Sequence, residues 1–85
     1  MTMKIRYFAW VRERIGKAEE VVDLPAEVVT TTDLLTWLKG RGEEYDWALE
    51  RPEVIRVACD QIHAAPGTPL AGVTEVALFP PMTGG

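Results

Sequence analysis

The sequence ends in Gly84-Gly85, directly after Phe79-Pro80-Pro81-Met82-Thr83. Two residues without Cβ form the narrowest peptide available and reach backbone angles closed to other residues, so they can thread a slot in another protein's active site. The reacting group would then be the α-carboxylate of Gly85. A carboxylate is a poor electrophile at neutral pH, so a carrier built this way needs a partner enzyme to activate it, as an acyl-adenylate. With each residue having about a 7% chance of being glycine, a terminal pair arises by chance about once in 200 chains. That rate does not decide between a reactive terminus and an inert, frayed tail. Pro80 and Pro81 restrict φ and favour an extended path, which would hold Met82, Thr83 and Gly84 away from the body and lower the entropy lost on insertion. The same two prolines also serve as a simple strand terminator, and on the tail alone both readings stay open.

Elsewhere the chain is poor in reactive groups. Cys59 is the only cysteine and His63 the only histidine, so neither a disulfide nor a structural zinc cluster can form within one chain. Cys59 lies in an apolar run with no His or Lys placed to lower its pKa, and reads as a small core residue rather than a nucleophile. His63 falls near the surface and carries no assigned role. No bound metal or cofactor is expected.

Eighty-five residues make one domain, and a chain of that length hides only about 60 to 65% of its unfolded surface, which favours a working surface over a deep cleft. Hydrophobic residues make up 47% of it, enough for a core without staples. Trp37 and Trp47 are expected in or at the edge of that core, where a tryptophan burying roughly 200 Å² contributes about 5 kcal/mol before entropy. The net charge of −4, with no Lys/Arg cluster, argues against nucleic acid or an anionic membrane and points to a partner with a basic docking face. No signal-peptide-like segment and no run of about 18 apolar residues occurs, so a cytoplasmic location is expected.

The tail needs elements to present it. Met3, Ile5 and Tyr7 alternate with Lys4, Arg6 and Phe8 along a first strand, leaving Phe8 as a large apolar residue on the otherwise charged face. Trp10 to Ile15 then form a short helix stopped by Gly16, and a second strand spans Glu20 to Leu24 before Pro25. Thr30 to Asp33 can cap a main helix in which Leu34, Leu35, Trp37 and Leu38 recur at helical spacing before Gly40 and Gly42. One more helical turn is expected over Asp46 to Glu50, a strand over Val54 to Cys59, and a short partner strand over Ile62 to Ala64 beyond Asp60-Gln61. After the turn at Pro66 to Pro69, the last strand runs from Glu75 to Phe79, with Val76 and Leu78 on one face and Ala77 and Phe79 on the other. One amphipathic helix against a small mixed sheet is an α+β two-layer roll. The globular domain covers residues 1–79 and an extended tail residues 80–85.

This order, closing in a free Gly-Gly, resembles the ubiquitin-like β-grasp fold. The stretch from Phe8-Ala9 through Val11-Arg12-Glu13 to Gly16, and the ending from Glu75 through Phe79-Pro80-Pro81-Met82-Thr83-Gly84-Gly85, are similar to those of the small, sulfur-carrying subunits of molybdopterin synthase. Two positions depart from that family's pattern. It often has Gly-Asp where this chain has Val73-Thr74, and Asn where this chain has Asp60. Both are turn positions.

The resemblance implies a carrier cycle. An ATP-dependent activating enzyme adenylates Gly85, a sulfur donor converts it to a thiocarboxylate, and the tail enters a large catalytic subunit, a heterotetramer being expected. There sulfur passes to cyclic pyranopterin monophosphate, giving the dithiolene of molybdopterin. In a β-grasp order the first and last strands are neighbours, so Phe8 and Phe79 would share an exposed face that docks the partner. Arg12 is a candidate ion-pair donor to that partner, or a solvated side chain. The rivals are a carrier of the same fold for thiazole or amino-acid sulfur transfer, a ubiquitin-like modifier joining Gly85 to lysines, and an interaction module with an inert tail.

Overall fold

The computed structural model describes residues 1–81. Its elements are β1 (Thr2–Tyr7), α1 (Ala9–Ile15), β2 (Glu19–Asp23), α2 (Thr31–Lys39), α3 (Glu43–Ala48), a 3₁₀ turn over Pro52–Val54, β3 (Arg56–Cys59), β4 (Ile62–Ala64) and β5 (Glu75–Phe79). The strands form one sheet in the order β2-β1-β5-β3-β4. β1 and β5 pair in parallel, and β1–β2, β3–β5 and β3–β4 pair antiparallel.

The alternation in β1 sets the layers. Met3, Ile5 and Tyr7 are buried and join Val22, Val57, Val76 and Leu78 from the same sheet face. α2 lays Leu34, Leu35 and Leu38 onto them. Its start is fixed by a capping box. The Thr30 hydroxyl accepts from the Asp33 N–H at 3.1 Å, while the Asp33 carboxylate accepts from the Thr30 N–H at 3.0 Å. α1 ends at Gly16, which takes φ 89° and donates its N–H to the Arg12 carbonyl, a left-handed stop that glycine adopts without a Cβ penalty.

β2 and α1 shift by one residue from their expected bounds, and two elements shift further. The helical turn expected over Asp46 to Glu50 is α3 over Glu43–Ala48. Glu43, Glu44 and Asp46 favour a helix N-terminus there, and the three-residue spacing of Tyr45 and Ala48 buries both. The strand expected from Val54 begins at Arg56, because Pro52 opens a 3₁₀ turn in which Ile55 donates to the Pro52 carbonyl.

Of the tryptophans, Trp37 sits at the edge of the core as expected, and Trp47 departs from expectation. None is fully buried. Trp10 and Trp37 lie half-buried against the core, and Trp47 is 54% exposed. Arg14 explains why Trp47 stays outside. Its guanidinium lies 4.7 Å from the ring centroids of both Trp10 and Trp47, and it donates to the Trp47 carbonyl at 3.0 Å and to Glu50 at 3.3 Å. A cation held between two rings gains from both π faces while remaining hydrated.

The polar centre of the fold is Glu20, on the core-facing side of edge strand β2. Its carboxylate accepts from the Tyr7 and Tyr45 hydroxyls, each at 2.6 Å, and pairs with Arg41 at 3.0 Å. Burial raises the Glu20 pKa, but donors from Tyr45, Tyr7 and Arg41 outweigh it and hold the carboxyl below its usual range. Burial first, and then the bond to Glu20, push the Tyr7 hydroxyl far above its usual range. One carboxylate thereby ties β1, β2 and α3 together.

Candidate docking face and tail stem

The two central strands carry the candidate site. In the β1–β5 register Lys4 faces Glu75, Ile5 faces Val76, Arg6 faces Ala77 and Tyr7 faces Leu78. Phe8 lies one residue beyond β1 in extended conformation, with φ −130° and ψ 153°, and donates its N–H to the Leu78 carbonyl at 3.1 Å. The pleat therefore places Phe8 and Phe79 on the sheet face opposite α2. Ala9 then turns the chain into α1 at φ 53°, a left-handed angle costly for a residue with a Cβ.

The rings on this face take separate partners. Phe8 is 39% exposed and lies 5.2 Å from the Arg6 guanidinium. Phe79 is half-buried and packs edge-to-face with His63, centroids 5.6 Å apart at 81°. His63 was given no role by the sequence, yet it completes the aromatic surface. Its signal was present. A two-residue turn at Asp60-Gln61 forces His63 opposite Ala58, and Ala58 opposite Ala77, on the face that bears Phe79. Arg56 was likewise overlooked, and it stands directly opposite Phe79 in the β3–β5 register. Arg12 is exposed one turn after Phe8 and makes no ion pair among the described residues.

Pro80 and Pro81 follow β5 directly and are half-buried. Met82, Thr83, Gly84 and Gly85, the remainder of the expected tail and the expected reactive group, lie outside the described residues. The stem is firmly set, because β5 pairs on both sides.

Among the described residues no acid/base pair or nucleophile converges on this face. Cys59 is buried, and burial followed by the charge of Asp60 pushes its thiol pKa up, opposite to what a nucleophile needs. Among the described residues no three His, Cys, Asp or Glu side chains gather as a metal site, and no helix is long and apolar enough to cross a membrane. A hollow of about 510 Å³ opens between α2 and β3–β4, with Leu35, Ile55 and Val57 among its walls and Arg56 and His63 on its lining. The described surface offers partly exposed Phe8 and half-buried Phe79 beside the start of the tail, which makes it a candidate docking face.

A five-stranded mixed sheet with a central parallel pair, crossed on one face by a capped helix, defines a ubiquitin-like β-grasp protein. The chain belongs to the ThiS family, whose model matches residues 5–85. It is 33% identical over 87 aligned residues to the molybdopterin synthase sulfur carrier subunit of Caenorhabditis elegans, covering 100% of this chain and 99% of that one. It is 31% identical to the subunit of the same name from Escherichia coli (strain K12), covering 98% and 99%. Among solved structures it is similar to SAMP1 from Haloferax volcanii, with a TM-score of 0.74, 31% identity and full coverage of both chains. A second crystal structure, of the H. volcanii small archaeal modifier protein 1, gives 0.70, 28% identity and coverage of 95% and 98%.

Proposed function

We propose that this chain is the sulfur-carrying subunit of a molybdopterin synthase, with Gly85 as the carrier group. The observation that carries the reading is full-length similarity to two subunits of that name, together with a fixed β5 stem that leads straight into Pro80-Pro81. In the proposed cycle the Gly85 carboxylate attacks the α-phosphate of ATP on an activating enzyme, and pyrophosphate leaves. The terminal sulfur of a persulfide on a donor protein then displaces AMP from the acyl carbon, and a second thiol cleaves the resulting acyl disulfide, releasing the thiocarboxylate and leaving a disulfide on the donor side. Docked through Phe8 and Phe79, with Pro80 to Gly84 threaded into the large subunit, the thiocarboxylate sulfur bonds to a carbon of cyclic pyranopterin monophosphate, and water then cleaves the acyl C–S bond, leaving sulfur on the pterin and restoring the Gly85 carboxylate. Two such transfers complete the dithiolene. Acid/base groups come from the large subunit, consistent with the docking surface described above, which gathers none.

Removing Gly85 tests this in a reconstituted synthase. The shortened chain is expected to fold and to transfer no sulfur. Retained transfer would refute the mechanism.

The similarity to small archaeal modifier protein 1 favours one second reading, a modifier that joins Gly85 to lysine amines. Covalent conjugates of the chain in extracts of its host would support it, and their absence alongside a thiocarboxylate would exclude it.

A further inference from the structure

The chain as a whole is acidic, with a formal net charge of −4, but the face carrying Phe8 and Phe79 is not. Lys4 is paired with Glu19 at 3.3 Å and Arg6 with Glu75 at 3.8 Å, so those charges largely cancel. Arg56 and Arg12 remain, both exposed and neither in an ion pair among the described residues. Arg56 faces Phe79 across the β3–β5 ladder, and His63 touches the Phe79 ring from β4. Arg12 follows Phe8 by one helical turn. Two exposed guanidinium groups without ion pairs among the described residues thus accompany the two rings, Arg56 across the ladder from Phe79 and Arg12 one helical turn after Phe8.

We infer that this face docks a protein surface in which an apolar pocket is rimmed by carboxylates, with Arg56 as the chief charge that selects it and Arg12 as the second. The inference rests on the sulfur-carrier reading and adds the chemistry of the partner. The average charge of the chain pointed to a basic partner, whereas the local charge beside the rings points to an acidic one. Arginine suits such a rim, since its planar fork matches a carboxylate and is weakly hydrated enough to sit beside an aromatic surface. A rim charge of this kind speeds encounter and selects partners more than it adds affinity. A basic pole on this face would also offset the repulsion between an otherwise acidic chain and an acidic partner surface.

The test titrates the full chain into the molybdopterin synthase large subunit of the same host, at low and high salt, with wild type, Arg56→Glu and Lys39→Glu. Lys39 lies on α2 and pairs with Asp46 at 3.9 Å, so its reversal changes net charge equally but away from the face. Circular dichroism checks that each variant folds. Arg56→Glu is expected to raise Kd at least about tenfold at low salt, with the loss shrinking at high salt, and Lys39→Glu to stay within about threefold. A Kd for Arg56→Glu within about threefold of wild type, or equal losses in both variants, would overturn the inference and leave the carrier reading standing. Failure of the wild type to bind the large subunit would contradict the carrier reading itself, and this inference with it.

Discussion

The Asp60 carboxylate holds Thr74 by both its groups, accepting from the Thr74 hydroxyl at 2.9 Å and from its N–H at 3.1 Å. The same oxygen accepts from the Glu75 N–H at 3.0 Å, and the Asp60 N–H donates to the Glu75 carbonyl at 2.8 Å. Asp60 and Thr74 are two of the positions at which the sequence departs from the pattern of molybdopterin synthase small subunits, and the fold brings them together. Asp60 and Gln61 both take positive φ, 48° and 70°, as a two-residue hairpin turn requires and as Asn-Gly does more readily. The carboxylate supplies a local clamp that fixes this turn and the start of β5 together.

Asp60→Ala is therefore expected to lower the melting temperature, and Asp60→Asn to lower it less, because Asn keeps an acceptor and tolerates positive φ. The Thr74 hydroxyl bond is the largest cause of the depressed Asp60 pKa. A depressed carboxyl stabilises the fold above its unfolded value of 3.8, and that contribution fades as pH falls through the lower folded value. Thermal melts of wild type and Asp60→Ala should converge on acidification. A gap between the two that stays constant as pH falls would show that the ionised Asp60 carboxylate does not carry the stabilisation.

Glu20 sets a second stability limit. Glu20→Ala orphans the Tyr7 hydroxyl, whose residue is 1% exposed, and removes the partner of Arg41. The expected cost is about 2 to 4 kcal/mol, since each buried group left without a partner costs about 1 to 3. Urea denaturation measures it. Depressed Glu20 and raised Tyr7 and Tyr45 act at opposite ends of the pH scale. Stability from Glu20 is lost as pH falls below its ordinary value of 4.5. Stability from the tyrosines is lost as pH rises beyond their ordinary value of 10.0.

Trp47→Ala should cost about 1 kcal/mol, the worth of a partly hydrated cation–π contact, rather than the 3 to about 5 kcal/mol of an excavated core tryptophan. A larger loss in denaturant would mean that Trp47 bears more of the α1–α3 contact than its 54% exposure indicates.

Strand alternation and helical spacing made most of this fold legible, because Met3, Ile5 and Tyr7, like Leu34, Leu35 and Leu38, follow the period of a single buried face. What stayed hidden depends on pairs distant in sequence. Trp47 reads as core or core edge by composition, and the approach of Arg14 from α1 gives it a reason to remain outside. Val54 reads as strand, and the Pro52 turn withdraws it. On the candidate docking face Phe8 and Phe79 are legible from parity, whereas His63 and Arg56 emerge only once β3 is registered against both β4 and β5.

Phe79→Ala should weaken binding to the large subunit by about 1 to 3 kcal/mol, as expected of an interface anchor. His63→Ala removes the ring that braces Phe79 and should weaken binding by less. Calorimetry with the purified large subunit checks both, and an unchanged Kd for Phe79→Ala would remove the aromatic face from the docking site.

The most direct measurement is top-down mass spectrometry of the chain with an untagged C-terminus, isolated from its host and again after incubation with the host's activating enzyme, ATP and a sulfur source. Fragment ions must assign the mass change to Gly85, because methionine oxidation adds nearly the same mass as exchanging oxygen for sulfur. Sulfur in place of one carboxyl oxygen of Gly85 is the expected result. A Gly85 carboxylate that stays unmodified after incubation would contradict the sulfur-carrier function.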